Sequence, residues 1–217
     1  MVHLLKSFLT VLILTFTATS QAAFILNLEL DPSKAINKVK IAKSAMTNTS
    51  QGEAPIAFTG AGTRIKTVFV DVKVYVAQLF VSNLSQFQRT EAGALPSLDD
   101  SGRVAIHITF LRDIDAAMTR TSLTNALARN HVNTQRKEFT DLLNAIESMG
   151  NATKGDQVAI LSERQQDGTE FIMVDNYKGT QLSVVGPAGF ARDFFSIWLG
   201  IVKDSDLKLK RNLIGIP

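Results

Sequence analysis

The sequence is organised around one apolar stretch that runs from Gly60 to Val81. Its second half consists of β-branched and aromatic residues almost without a break, which is typical of a β-strand. A continuous apolar strand is usually covered on both faces, so we expect it to lie centrally in a sheet. Gly60 and Gly62 precede it and allow a bulge or the close approach of another backbone segment.

Two polar side chains, Arg64 and Tyr75, interrupt this apolar stretch. A buried guanidinium group is costly unless an anion or several acceptors meet it. Two interpretations stay open: the pair holds a carboxylate or enolate-like oxygen of a ligand, or Arg64 pairs with a protein carboxylate and Tyr75 is a wall residue. An odd number of positions separates the two, so an unbroken strand would point them to opposite faces. They share a site only if a bulge or tight turn intervenes, which we expect near Asp71.

The first 22 residues have the pattern of a secretory signal peptide, with Lys6, an apolar core over Phe8–Phe16 and small residues before position 23. We therefore expect an exported protein, periplasmic if the source is a Gram-negative bacterium, with no transmembrane segment after the signal peptide. The chain has no cysteine, which excludes disulfides, thiol nucleophiles and thiolate metal sites.

The remaining patterns predict a mixture of strands and helices. At the N-terminus we expect a strand at Ala23–Leu30, a helix at Pro32–Met46 and a polar loop at Thr47–Glu53. Further on, the patterns predict a strand at 104–111, helices at 113–130 and 134–149, antiparallel strands at 157–163, 169–175 and 181–185, and helices at 187–200 and 204–214.

Few side chains outside the apolar stretch are candidates for catalysis or metal binding. His107 interrupts the strand at 104–111, and we expect it on a solvated face because no second histidine or carboxylate stands at metal-ligand spacing. The sequence thus predicts no metal and no cofactor. The formal net charge is only +3 and the basic residues are not interleaved with aromatic ones, so nucleic-acid binding is not expected.

The first of the two central helices carries a stripe of small, mildly polar side chains that includes Asn125. Such a stripe either lines a cavity, where Asn125 would hydrogen-bond a ligand, or allows close helix packing. The helix after Pro187 is the most aromatic element, with Phe190 and Phe194, and we expect it to lie on the sheet.

Several segments resemble, in the same order, the chalcone isomerase-like family. The strand Val72–Phe80 resembles the core strand of that fold, and Gly60–Arg64 resembles its Gly-x-Gly-x-Arg entry. The turns at 154–156 and 167–169 resemble two family turns, and Ser196–Gly200 resembles the start of its C-terminal signature. The resemblance covers roughly residues 56–215, so we divide the chain into a signal peptide at 1–22, an N-terminal extension at 23–55 and the family domain at 56–217.

The resemblance implies an α+β fold, an antiparallel sheet with helices packed on one face and a ligand cleft between the layers. It also implies that Arg64 matches the arginine that guides the nucleophile in plant isomerases, and that Asn125 matches an asparagine of the isomerase site. Tyr75, Met118 and Ala191 stand where isomerases carry threonine, tyrosine and threonine. Because losing one preorganised donor typically costs about 10²-fold in rate or more, these departures indicate a protein other than a chalcone isomerase.

Three functions follow as alternatives. The first is a non-catalytic protein that binds a small apolar carboxylate such as a fatty acid, with Arg64 and Tyr75 at the head group and Asn125, Met118, Phe190 and Phe194 around the ligand. The second is an intramolecular lyase or isomerase acting on an enone, with Arg64, Tyr75 and Asn125 as the catalytic candidates. The third is a ligand-free interaction protein of the cell envelope, in which side chains such as Met118, Phe190 and Phe194 fill the cleft. The oligomeric state is left open.

Overall fold

The computed structural model describes residues 23–67 and 69–216, so the predicted signal peptide lies outside the described residues. The strands in these ranges form one antiparallel sheet of eight strands in sequence order. The strands are β1 (Leu26–Ile36), β2 (Val39–Thr49), β3 (Gly52–Thr67), β4 (Asp71–Val81), β5 (Arg103–Phe110), β6 (Gln157–Arg164), β7 (Glu170–Asp175) and β8 (Gln181–Gly186).

In the described residues, four α-helices lie on one face of this sheet. They are α1 (Ala116–Arg129), α2 (Lys137–Ser148), α3 (Phe190–Leu199) and α4 (Asp204–Leu213), and a short 3-10 helix spans Pro96–Asp100. The main core joins the helix side chains to the facing residues of the sheet, such as Leu79, Ile106 and Ile172. The predicted α+β class, with an antiparallel sheet and helices on one face, is confirmed.

The predicted apolar stretch is two strands, the end of β3 and all of β4. Because β4 is the fourth strand of eight, it has neighbours on both sides. Its alternate residues face different cores: Leu79 packs under the helices, whereas Phe80 belongs to a second cluster on the opposite face. Both side chains are fully buried. The expectation of a central strand covered on both faces is confirmed.

The predicted helix at Pro32–Met46 is wrong, because these residues form β1, a turn and β2. Asn37 and Lys38 have positive φ values of 50° and 70° and make the turn of the hairpin. Ala42 and Ala45 pack on the second face of the sheet. This tertiary contact outweighs a weak helical pattern. The predicted loop at Thr47–Glu53 is correspondingly reduced to a tight turn between β2 and β3.

The hairpin of β1 and β2 folds back over the face of the sheet that is turned away from the helices. The backbone N–H of Ala42 donates to Oε1 of Gln78 at 2.7 Å. The backbone N–H of Ile25 donates to Oδ2 of Asp175 at 3.2 Å, and the hydroxyl of Tyr177 donates to the carbonyl of Leu26 at 2.7 Å. These bonds join the N-terminal hairpin and the residue before it to β4, to the end of β7 and to the turn that follows β7.

This covering makes the expected solvated position of His107 wrong. His107 is only 2% exposed, and its Nε2 atom lies 3.1 Å from Oε1 of Gln157. Burial lowers the pKa of His107 to about 4, although the hydrogen bond to Gln157 acts in the opposite direction. His107 is therefore a neutral side chain of the second core at neutral pH.

None of the helices in the part of the chain that the structure describes is long and apolar enough to cross a membrane.

Candidate functional site

The hairpin of β3 and β4 brings Arg64 and Tyr75 together. The two residues are direct partners in the antiparallel register, and the pairing shifts by one residue between Arg64 and Ile65. Side chains that oppose each other across an antiparallel pair lie on the same face, and this face is turned to the helices. The turn between Thr67 and Asp71 resolves the odd spacing, so the predicted turn near Asp71 is confirmed.

Arg64 makes a two-point ion pair with Asp206, which lies in the first turn of α4. The distance from Nε to Oδ1 is 3.1 Å and the distance from Nη2 to Oδ2 is 3.2 Å. The side chains are 28% and 14% exposed, so water reaches the pair only in part. Burial lowers the pKa of Arg64, but the neighbouring Tyr75 and Asp206 raise it by more. The guanidinium group is therefore a permanent cation that already meets one carboxylate, so the interpretation in which Arg64 pairs with a protein carboxylate is confirmed.

Tyr75 is bonded to the other C-terminal helix. The indole Nε1–H of Trp198, on α3, donates to the Tyr75 hydroxyl at 3.0 Å, and both residues are buried. Burial raises the pKa of Tyr75, while Arg64 and the hydrogen bond from Trp198 lower it by less. The phenol is thus uncharged at neutral pH, and its oxygen accepts from Trp198 and lies beside the Arg64 guanidinium.

Two glycines allow α4 to lie directly on β3. A Cβ atom added to Gly60 would stand 2.0 Å from the backbone oxygen of Asn212, and one added to Gly62 would stand 2.9 Å from the Asn212 Cβ. Any larger residue at position 60 would push the helix backbone away. The predicted close approach of another backbone segment at these glycines is confirmed, and it is what brings Asp206 to Arg64.

The other predicted ligand residues lie elsewhere. Phe190 and Phe194 are fully buried and pack in the core, with ring centroids 5.1 Å from Phe139 and 5.7 Å from Trp198, respectively. Met118 and Asn125 are exposed on α1. Of the two alternatives for the small-residue stripe, cavity lining is excluded because the stripe faces solvent. The structure does not bring Met118 or Asn125 together with Arg64 and Tyr75.

Two residues of the site were not predicted. Trp198 belongs to the C-terminal motif that resembles the family signature, but nothing in the sequence links it to Tyr75 before the sheet is assembled. Asp206 is the anion that a largely buried arginine is expected to need. The sequence alone does not show which of the acidic residues takes this role. In residues 23–67 and 69–216, no group of three or more histidine or carboxylate side chains is placed to hold a metal ion.

Two surface depressions lie outside this site. One is lined by residues that include Leu98, Ser162 and Phe195, and the other is an open groove next to β4 that includes Val72 and Leu111. Neither includes Arg64, Tyr75 or Asp206 in its lining. Arg64 lies beside α4 with 28% of its side chain exposed.

Comparison with solved structures shows a similar fold in a fatty-acid binding protein from Arabidopsis thaliana. The match has a TM-score of 0.53 and 10% sequence identity, and it covers 78% of this chain and 95% of that one. The comparison with curated protein sequences found no match. The family model described as chalcone isomerase-like matches residues 33–215, which is most of the chain. The chain therefore belongs to the chalcone isomerase-like family.

Proposed function

We propose that this protein is a non-catalytic binding protein that takes up a small apolar carboxylate, such as a fatty acid, with the carboxylate at Arg64. The observation that carries the proposal is the bidentate contact of Arg64 with Asp206. The planar fork of an arginine matches both oxygens of a carboxylate, and Asp206 occupies the position that a ligand carboxylate would take. The fold that the chain shares with a fatty-acid binding protein supports a binding role.

In this proposal a ligand binds by exchange. The incoming carboxylate replaces Asp206 on the guanidinium group, so the number of ion pairs is unchanged. Tyr75 lies beside Arg64 and adds a hydroxyl donor, while Trp198 holds the tyrosine ring in place. An exchange avoids leaving a buried cation without a partner, which is the main cost of opening such a site.

Helix α4 is the element that has to move. Its inner side carries two charged residues one turn apart, Asp206 and Lys210, and the Lys210 ammonium donates to the carbonyl of Gly200 at 2.9 Å. Burial lowers the pKa of Lys210. The buried Leu209 and Leu213 attach the rest of α4 to the main core, so the proposal requires its first turn, which carries Asp206, to lift. When it lifts, the apolar tail enters between β3, β4 and the aromatic side chains of α3.

Loading with mixed fatty acids, followed by native mass spectrometry, tests this function. The wild-type protein and Asp206→Asn should retain an acid, and Arg64→Ala should not. Asp204→Asn is the matched control, because Asp204 lies in the same helical turn and is exposed. Equal retention by the wild type and Arg64→Ala would overturn the proposal.

Export belongs to the same proposal. Cleavage of the predicted signal peptide after Ala22 would deliver the protein to the periplasm of a Gram-negative cell. N-terminal sequencing of the protein from the periplasmic fraction tests this step. The sequence should begin at Ala23, and a sequence that begins at Met1 would contradict the proposal.

A second function, that of a ligand-free interaction protein, is favoured by one observation. Phe190 and Phe194 are fully buried and fill the interior where a ligand tail would lie. In that case Arg64 and Asp206 are only a structural ion pair. The same loading experiment separates the two functions, because a ligand-free protein retains no acid in any variant, including Asp206→Asn.

A further inference from the structure

The tip of the β3–β4 hairpin presents two large apolar side chains to water. Phe69 is 98% exposed and Val70 is 70% exposed, which makes Phe69 the most exposed large apolar residue among the described side chains. Single exposed apolar residues are common, but an almost fully exposed phenylalanine next to an exposed valine at a projecting turn is not explained by the packing of this chain.

Basic side chains surround this tip. Lys66 and Lys73 stand on its two strands, both exposed, with Lys66 opposite Val72 and Lys73 opposite Ile65. The open groove beside β4 adds the exposed Arg112 and Lys154 to Lys73. The tip and the groove together carry four cationic groups and two carboxylates, those of Asp71 and Asp113.

The neighbouring hairpin holds this end of the sheet in position. Nζ of Lys73 donates to Oδ1 of Asn37 at 2.7 Å, and Nδ2 of Asn37 donates to Oγ1 of Thr63 at 2.7 Å. Asn37 is in the turn between β1 and β2. The two hairpin tips are therefore tied side by side, and Phe69 projects from a supported base.

The chemistry of this tip selects one kind of partner. A protein interface needs about 800 Å² on each side, whereas two side chains at a narrow turn offer little area. An aromatic side chain flanked by lysine and arginine is suited to the headgroup region of a bilayer, where the ring is buried and the cations meet lipid phosphates. We propose that the β3–β4 tip docks on an anionic membrane surface, with Phe69 and Val70 inserted and with Lys66, Lys73, Arg112 and Lys154 on the headgroups.

This surface is separate from the ligand site, although Arg64 lies on the same hairpin. The inference does not depend on fatty-acid binding, because the residues that carry it contact water and not the core. If both proposals hold, the ligand site lies a few residues from the bilayer from which a fatty acid would come.

Sedimentation with lipid vesicles tests the inference. The wild-type protein, free of added fatty acid, is mixed with phosphatidylcholine vesicles with and without phosphatidylglycerol. We expect binding to the anionic vesicles that weakens as salt is raised, and binding that is about tenfold weaker for Phe69→Ser. Leu84→Ser is the matched control, because Leu84 is an exposed apolar residue beyond the opposite end of β4.

Several results would overturn the inference: no vesicle binding by the wild type, equal binding of the wild type and Phe69→Ser, or equal binding to neutral and anionic vesicles. A concentration-dependent dimer that disappears in Phe69→Ser, measured by light scattering without lipid, would instead assign the tip to a second copy of the chain. The fluorescence of Trp198, the single tryptophan of the chain, checks that each variant is folded.

Discussion

Arg64 and Tyr75 face each other across the β3–β4 hairpin, and each is bonded to a different C-terminal helix. Arg64 pairs with Asp206 on α4, and Tyr75 accepts a hydrogen bond from Trp198 on α3. One cross-strand pair therefore connects the centre of the sheet to both helices.

Replacing Tyr75 with phenylalanine should destabilise the fold without changing its shape. The indole N–H of Trp198 then loses its acceptor in a buried environment, which typically costs about 1–3 kcal/mol. Urea unfolding followed by Trp198 fluorescence measures the loss. An unchanged free energy of unfolding would mean that the Trp198–Tyr75 bond contributes nothing.

The ion pair between Arg64 and Asp206 should contribute a measurable coupling free energy. A double-mutant cycle with Arg64→Met and Asp206→Asn should give a coupling of about 1–2 kcal/mol, because the pair is bidentate but partly exposed. The coupling should shrink in high salt. Additive effects of the two changes would show that the pair is neutral for stability.

Adding a methyl group at Gly60 should displace α4. The new Cβ would stand 2.0 Å from a backbone oxygen of Asn212, whereas at Gly62 the nearest atom is the Asn212 Cβ at 2.9 Å. We expect Gly60→Ala to cost about 3 kcal/mol or more and Gly62→Ala to cost less. Thermal unfolding of the two variants compares them directly, and the reverse order would contradict the described packing of α4.

The buried His107 should make stability depend on pH. Its pKa is about 4 in the folded protein and 6.5 for an ordinary histidine, so unfolding takes up a proton between these values. Its contribution is fully present above pH 6.5 and is lost as the pH falls, by about 3 kcal/mol at pH 4.

Unfolding of the wild type and of His107→Gln between pH 4 and 7 measures this contribution. The variant should lose the part of the pH dependence that His107 causes. His131→Asn is the matched control, since His131 is exposed and its positive φ of 59° suits asparagine. If the free energy of unfolding changed equally with pH in the wild type and His107→Gln, the pH dependence would come from other groups.

Much of the helix-covered half of the fold follows from local patterns. The strands β4 to β8 and all four helices have strong periodicity, a capping residue such as Asp115, or turn residues between them. The N-terminal hairpin has no such strong local pattern. Its Ala42 and Ala45 are small residues that pack on the second face of the sheet, and they do not give the alternation of an amphipathic strand. The same unforeseen covering buries His107.

The candidate site was predictable only in part. The glycines, Arg64 and Tyr75 stand out in an apolar stretch, and the need of Arg64 for an anion follows from its burial. The identity of that anion depends on how α4 docks, which joins residues 142 positions apart in the sequence. The stripe on α1 and the family resemblance predict Asn125 at the site, and the resemblance adds Met118, whereas the structure places both on the exposed side of α1.

Fluorescence titration at Trp198 is the most direct test of the central claim, that Asp206 holds the place of a ligand carboxylate on Arg64. Dodecanoate should bind Asp206→Asn about tenfold more tightly than the wild type, because the competing carboxylate is gone, and Arg64→Ala should not bind it. Dodecanol, which has the same tail without the charge, should bind all three proteins weakly and equally. Equal affinity of the acid for the wild type and both variants, or no binding by Asp206→Asn, would contradict the claim.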